Sequence, residues 1–369
     1  IDKGIDGFWN DMNEPAIFYS EKHLKEVFEK MEDYKKMNLD VNTFFEMTGM
    51  IGGICNNPED YASFYHNYKG RRYRHDQVHN LFGYYMTRSA SEAFERYVPE
   101  KRILLFSRAS YIGMHRFGGI WQGDNASWWS HLEMNVKMMP SLNMCGFLYT
   151  GADVGGFGAD ATEDLVLRWL EFAVFTPLLR NHSARGTRRQ EVYRFSHVEK
   201  FADVIGVRYQ ILPYIYSEYM KAALQNTMMF NPLAFLYGED ALAGQVEDQL
   251  FIGDNVMVAP VCEQNMSGRV VYFPERLKQL IFKNGIVEEG KVYEKGFSYV
   301  EMPMGTVHVF LREGYLFPVA KGGKCVEDVD FEDLMLYSFG EEIKPYEYYL
   351  DDGETKDFTI ESHIRMLSC

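Results

Sequence analysis

Apolar positions in the first half of the chain follow two alternating spacings. Residues 5–10 (GIDGFW) read as a short buried strand that runs into an acidic loop. Residues 21–37 place Leu24, Val27, Phe28 and Met31 at helical intervals on a charged background, which predicts a surface helix. Residues 38–62 hold no clear period and are expected to form a long irregular excursion. A second amphipathic helix is predicted over about 79–98, from His79 through Leu81, Tyr84, Tyr85 and Met86 to Phe94. Short apolar strands follow at 102–107, 117–121, 146–150 and 175–179, with helical stretches at 163–174 and 200–224. Asp, Arg or His stands just past each strand. Strands alternating with helices, and polar residues beyond the strand ends, predict a parallel α/β sheet or barrel with its chemistry on the C-terminal face. Five strands do not close an eight-stranded barrel, and a strand-like run opens the chain near Ile1. The expectation is the C-terminal part of a (β/α)8 TIM barrel that lacks three N-terminal strands.

From about residue 232 the texture changes. Strands are predicted at 250–260, 269–273, 279–282, 297–302, 306–311, 345–350 and 357–361, separated by Gly, Pro and Asp turns. That spacing predicts C-terminal all-β sandwich domains. A chain of 369 residues also exceeds what one core usually organises. The expected division is 1–228 for the barrel portion, 229–318 for a proximal β-sandwich and 319–369 for a distal β domain.

Charge narrows the partners. Lys plus Arg total 38 against 53 acidic residues, a net charge of −15. That balance argues against nucleic acid, which leaves a basic footprint on its binders, and favours a neutral ligand. No apolar run approaches the ~18–20 residues that span a bilayer, so no membrane partner is expected. Cys55, Cys145, Cys262, Cys325 and Cys369 are scattered and form no CxxC, which indicates neither a zinc site nor a disulfide framework. A reduced, cytoplasmic setting is the expectation, although a signal peptide upstream of Ile1 would not be visible.

Candidate chemistry lies in five segments. In GFWNDMNEP (7–15), Asp11 follows the first strand, flanked by Trp9 and Met12 with Glu14 nearby. In GGIWQGDN (118–125), Asp124 stands behind Trp121 in a glycine-rich loop. Asp153 and Phe157 lie in GADVGGFG (151–158), and His182 in PLLRNHSARG (177–186). Arg108 follows a strand in FSRAS. Taken singly, these are a helix cap, a turn, a structural histidine and a surface ion pair. The glycine run contains no GxGxxG, so it is not a dinucleotide fingerprint. Together they change meaning, because a barrel would gather Asp11, Arg108, Asp124, Asp153 and His182 on one face. Two carboxylates suit glycoside hydrolysis: one attacks the anomeric carbon, and the other protonates the leaving oxygen and then activates water. Trp121 beside Asp124 would lower the local dielectric and favour the protonated acid.

WNDMNEP, the FSRAS arginine, WQGDN, GADVGGF and RNHS, in that order, resemble glycoside hydrolase family 31, with a pattern like α-glucosidases of gut Firmicutes. YLDDGET (349–355) resembles a turn in the family's C-terminal domain. The resemblance implies a retaining, exo-acting α-glucosidase with Asp11 as nucleophile and Asp124 as acid/base. It implies that Trp9, Met12, Arg108, Trp121, Phe157 and His182 line the nonreducing glucose subsite, with Asp153 in support. No metal or organic cofactor is implied. The expected partners are small α-glucosides of maltose or isomaltose type, and a homo-oligomer stays open. The family's first barrel strands and N-terminal β-sandwich have no counterpart here, so this stretch alone is expected to be inactive. Other readings are a non-catalytic carbohydrate-binding relative, a metal hydrolase using Asp124, Asp153 and His182, or an α-xylosidase or transglucosidase.

Overall fold

The computed structural model describes residues 3–17 and 19–369, so the opening of the chain at Ile1 lies outside the described residues. The chain divides into two compact units, Ile1–Val98 with Ile103–Gly118, and Pro99–Arg102 with Gly119–Cys369.

In the first unit the strand Gly7–Asn10 pairs in parallel with Leu104–Ser107, placing Gly7 opposite Leu104 and Asn10 opposite Ser107. Trp9 stacks on Phe106 with ring centroids 4.6 Å apart. The helix His75–Tyr97 begins four residues before the predicted 79. His75, Gly83 and Thr87 are buried on one of its faces, at spacings of four and eight that bring them onto one side. Gly83 is required there: a Cβ would come 2.7 Å from the Ala109 Cβ and 3.0 Å from the Asn13 carbonyl.

The excursion at 38–62 is regular, contrary to expectation. Val41–Gly52 and Pro58–Ser63 are helices, and Tyr65–Tyr68 pairs with Arg71–Arg74 in a hairpin. Capping starts these helices. The Asp40 carboxylate accepts from the Thr43 N–H while the Thr43 hydroxyl accepts from the Asp40 N–H, a reciprocal box. Asn57 caps a helix whose first residue is Pro58. Their apolar period was illegible because Val41, Phe44 and Phe45 stay exposed and define no core face.

In the second unit Asp153–Val154 pairs in parallel with Arg180–Asn181, whereas the runs predicted as strands, 146–150 and 175–179, form none. The predicted runs do lie side by side, with the Leu178 N–H donating to the Thr150 carbonyl at 3.2 Å. Gly146 at φ +86° and turn bonds inside 146–150 keep that run from joining a ladder. The helix Val198–Gln225 ends where Asn226 turns left-handed at φ +56°.

The β-rich part is built on a six-stranded antiparallel sheet. Its strand order is Ile286–Tyr293, Leu277–Lys283, Val307–Arg312, Val256–Val258, Leu250–Ile252, Phe230–Pro232. Alternation assigns its two faces. Leu250, Ile252, Val256, Val258, Val309 and Leu311 share a core with Val204, Val207, Ile211 and Ile215 of the long helix. Phe251, Met257 and Phe310 point the other way, onto Val271, Tyr272, Phe273 and Val300 of the ribbon Gly268–Phe273 with Gly296–Glu301. Both faces are therefore covered, and each such buried side chain stabilises the fold by about 1.5–3 kcal/mol.

Several β predictions need correction. Residues 250–260 form two strands, because Gly253 turns the chain at φ +57°. Ile286–Tyr293, Leu316–Ala320 and Leu334–Ser338 are strands that hydropathy did not show. Residues 357–361 are not a strand; the short helix Ile360–His363 precedes the strand Ile364–Leu367, which pairs with Tyr346–Tyr349.

Candidate active site

Asp11 leaves the first strand as an exposed carboxylate. Its Oδ1 accepts the Met12 N–H at 2.8 Å, and Met12 takes a left-handed φ of +55°. Arg108 leaves the neighbouring parallel strand, and its N–H donates to the Asn10 carbonyl at 3.0 Å. The parallel register thus brings Arg108 to the loop that carries Asp11. Its guanidinium lies 3.3 Å from Asp11 Oδ1 and forks onto Glu14, with Nε to Oε1 at 2.7 Å and Nη2 to Oε2 at 3.0 Å. Burial pushes the Glu14 carboxyl up, but the Arg108 fork outweighs it and leaves Glu14 below the usual carboxylate range. Glu14 is thereby kept as an anion that holds Arg108 beside Asp11.

Asn13 joins the two loops from below. Its amide donates to the Ser107 hydroxyl and accepts the Ala109 N–H, both at 2.9 Å, with only 1% of Asn13 exposed. In the sequence Glu14 stands near the site without an assigned role, and Asn13 is not among the candidates. Their signal was the DMNEP string, in which the polar pair Asn13 and Glu14 follows Asp11 after Met12.

In the second unit Asp124 is also exposed, at the tip of a loop that turns at Gly123 with φ +84°. Trp121 is buried, at 5% exposure, whereas Asp124 stays exposed. The loop is clamped at Asn125, whose carbonyl accepts the N–H groups of Phe157 and Gly158 at 2.6 and 2.9 Å. Gly156, at φ +88°, lets the two backbones meet; a Cβ there would lie 2.6 Å from Ser127.

Asp153 is fully buried, with Oδ1 accepting from Arg180 Nε at 2.6 Å. Burial raises its pKa, Arg180 and His182 oppose the rise, and Asp124 adds to it. The Arg180 guanidinium lies 5.6 Å from the Trp121 ring centre. Phe157 and His182 stack with centroids 5.3 Å apart. Buried Gln190 ties this side together, its amide donating to the carbonyls of Val154, Gly156 and His182. Arg180 and Gln190 were not anticipated. Arg180 stands two residues before His182 in RNHS, and Gln190 carried no sequence signal.

Trp9, Asp11, Met12 and Arg108 therefore belong to one unit, and Trp121, Asp124, Asp153, Phe157 and His182 to the other. Asp153 is engaged by Arg180, which disfavours it as a metal ligand. Among the described residues, no three His, Cys, Asp or Glu side chains come together as a metal site. No helix of the described residues is long and apolar enough to cross a membrane.

Residues 1–218 match the glycosyl hydrolases family 31 TIM-barrel domain, and residues 226–317 match the glycosyl hydrolase family 31 C-terminal domain. α-Glucosidase 2 of Bacillus thermoamyloliquefaciens is 29% identical over 99% of this chain and 42% of its own length. A probable α-glucosidase of Oryza sativa subsp. japonica is 32% identical over 96% of this chain and 38% of its own. The chain thus spans about two fifths of these relatives. A dextranase of Flavobacterium johnsoniae, solved with glucose, shares the fold with a TM-score of 0.76 at 24% identity, over 97% of this chain and 40% of that one. A barrel-domain match over more than half of the chain, followed directly by the C-terminal-domain match, leaves one assignment: the chain belongs to glycosyl hydrolase family 31.

Proposed function

We propose that the chain carries the catalytic carboxylates of a retaining, exo-acting α-glucosidase. Asp11 is the nucleophile and Asp124 the general acid/base. In this reading residues 1–228 hold the catalytic barrel portion, with 229–318 and 319–369 as β domains behind it. The observation that carries the reading is the Arg108 guanidinium shared between Asp11 and Glu14. A nucleophilic carboxylate must be anionic, exposed and held in one orientation. Asp11 is exposed, and a cation fixed by a second carboxylate orients it.

The mechanism follows from those two groups. Asp11 attacks the anomeric carbon of an α-glucoside from the β face while Asp124 protonates the departing oxygen. Asp124 then takes a proton from water, which attacks from the α face and releases α-glucose. Trp9, Trp121 and the Phe157–His182 pair supply flat faces for the sugar ring, and Arg108 and His182 supply polar contacts. The substrates are small α-glucosides of maltose or isomaltose type, in line with the α-glucosidase relatives.

The test is proton NMR of the first glucose released from an aryl α-glucoside by the protein that carries this chain, with maltose and isomaltose assayed alongside for turnover. α-Glucose before mutarotation, with no cleavage of substrates blocked at the nonreducing end, is the expected result. β-Glucose would contradict retention, and cleavage of blocked substrates would contradict exo action.

A further inference from the structure

Within the first unit, three imidazoles form a chain that the chemistry above does not use. His66 Nε2 lies 2.8 Å from His75 Nδ1, and His75 Nε2 lies 2.8 Å from His79 Nδ1. Both links run from an Nε2 to an Nδ1, so one tautomer adopted by all three rings satisfies both bonds. His75 has no exposed surface, and Phe64 stacks on it at 4.2 Å. Burial, followed by the neighbouring His79 and His66, pushes His75 down to about 4, so the central ring stays neutral at neutral pH. A neutral ring with both nitrogens engaged passes on the polarity of the chain, since a donor at one end demands an acceptor at the next.

The far end of this chain reaches the Asp11 loop. His79 lies within electrostatic reach of Glu14, as a smaller influence on that carboxyl than burial or Arg108. Tyr61 packs on His79 with centroids 4.8 Å apart, and its hydroxyl donates to the Pro15 carbonyl at 3.1 Å. One turn along the same helix face, Gly83 abuts the Asn13 carbonyl. The groups around the chain are Tyr61, Phe64, Phe82, Asp76, Glu14 and, beyond Glu14, Arg108.

We propose that His66–His75–His79 is a positioning device for Asp11, fixing the ring of His79 so that it and Tyr61 hold the Glu14–Arg108 clamp in register. The proposal rests on Asp11 as the nucleophile for its functional meaning, but its geometry stands apart from that role. These histidines are positioning residues and touch no reacting atom.

Two variants separate positioning from mere packing. His66→Gln places an amide where Nε2 meets His75, its oxygen or nitrogen turned to match the polarity of the chain. His79→Asn places one where Nδ1 meets His75, likewise free to flip, but removes the rest of the ring beside Glu14. Arg108 Nε–H exchange is read by arginine-labelled NMR on this chain, with the melting temperature alongside. In the active protein that carries the chain, kcat and KM are measured separately. His66→Gln should match wild type in all readouts. His79→Asn should exchange the Arg108 proton about tenfold faster at an unchanged melting temperature. It should also lower kcat about tenfold with KM within about twofold. A folded His79→Asn with wild-type Arg108 exchange and wild-type kcat overturns the proposal, as does loss confined to KM. Full turnover by Asp11→Ala would instead remove the nucleophile reading, and the Arg108 exchange would still decide the positioning.

Discussion

Arg108 and Asp153 show two uses of one ion-pair chemistry. Arg108 is shared by two carboxylates near solvent, where its function is orientation. Arg180 serves a carboxylate with no exposed surface, where its function is compensation for burial. Removing it should therefore cost much more than an exposed pair would. Arg180→Met is expected to destabilise the protein by about 3–5 kcal/mol, because it strands a buried charge. Asp153→Asn with Arg180→Met should recover a large part of that loss. A denaturant double-mutant cycle measures the coupling, and additive effects would show that the pair is not coupled. At this scale the chemistry was readable where it sat in a contiguous string. DMNEP and WQGDN each announced an acid. The clamp was not readable, because Arg108 meets Glu14 only through a parallel register across 94 positions. Gln190 was invisible for the same reason: its three acceptors come from loops brought together by folding.

Among the elements, the helix His75–Tyr97 ties the insertion to the site. Its first residue carries a pH dependence of definite sign. Unfolded histidine titrates near ~6.5, while burial lowers folded His75 to about 4. Between these values the unfolded state binds more protons, so stability falls as pH drops from about 6.5 to about 4 and levels off below. Urea midpoints across that window should show the slope, and His75→Phe should flatten it. An unchanged slope would assign the acid sensitivity elsewhere. Gly156 makes a second prediction at this scale. With φ +88° and Ser127 2.6 Å from a would-be Cβ, Gly156→Ala should separate the 153–158 loop from the Asp124 loop. It should cost more than the ~1 kcal/mol typical of a point change, measured as a shift in urea midpoint. Helices with one apolar face were legible from spacing alone. Strands such as Val307–Arg312 were legible as short apolar runs, but burial alone did not decide it, since Leu316–Ala320 is buried throughout and lay outside the predicted set. Ile286–Tyr293 (IVEEGKVY) is an edge strand with mostly exposed positions, so its hydropathy carried no alternation. The Asn284–Gly285 turn before it, with both residues at positive φ, was its true signal.

For the whole molecule, buried apolar side chains are unevenly shared. Among the described residues, Leu105, Phe106 and Met114 are the buried hydrophobics of the first unit, whereas both large core clusters lie in the second. The first unit should open at lower free energy, and hydrogen exchange should show the 198–225 helix and the six-stranded sheet protected last. Uniform protection across both units would contradict this. The change from mixed helices and strands to mostly strands near residue 232 was legible from the strand spacing. The core shared by the Val198–Gln225 helix and the six-stranded sheet was not, since it joins elements on either side of that change. Asp11 and Asp124 stand at the centre of the proposed chemistry, and azide tests both roles in one readout. In the active protein, Asp124→Ala should still form the glycosyl ester from an aryl α-glucoside with a good leaving group. Azide then attacks opposite Asp11 and should give α-glucosyl azide. In Asp11→Ala the azide would take the place of the missing carboxylate and give β-glucosyl azide. The anomeric configuration, read by NMR, should therefore differ between the two variants in that sense. The opposite pairing of configurations, or full unaided turnover by Asp11→Ala, would contradict the assignment.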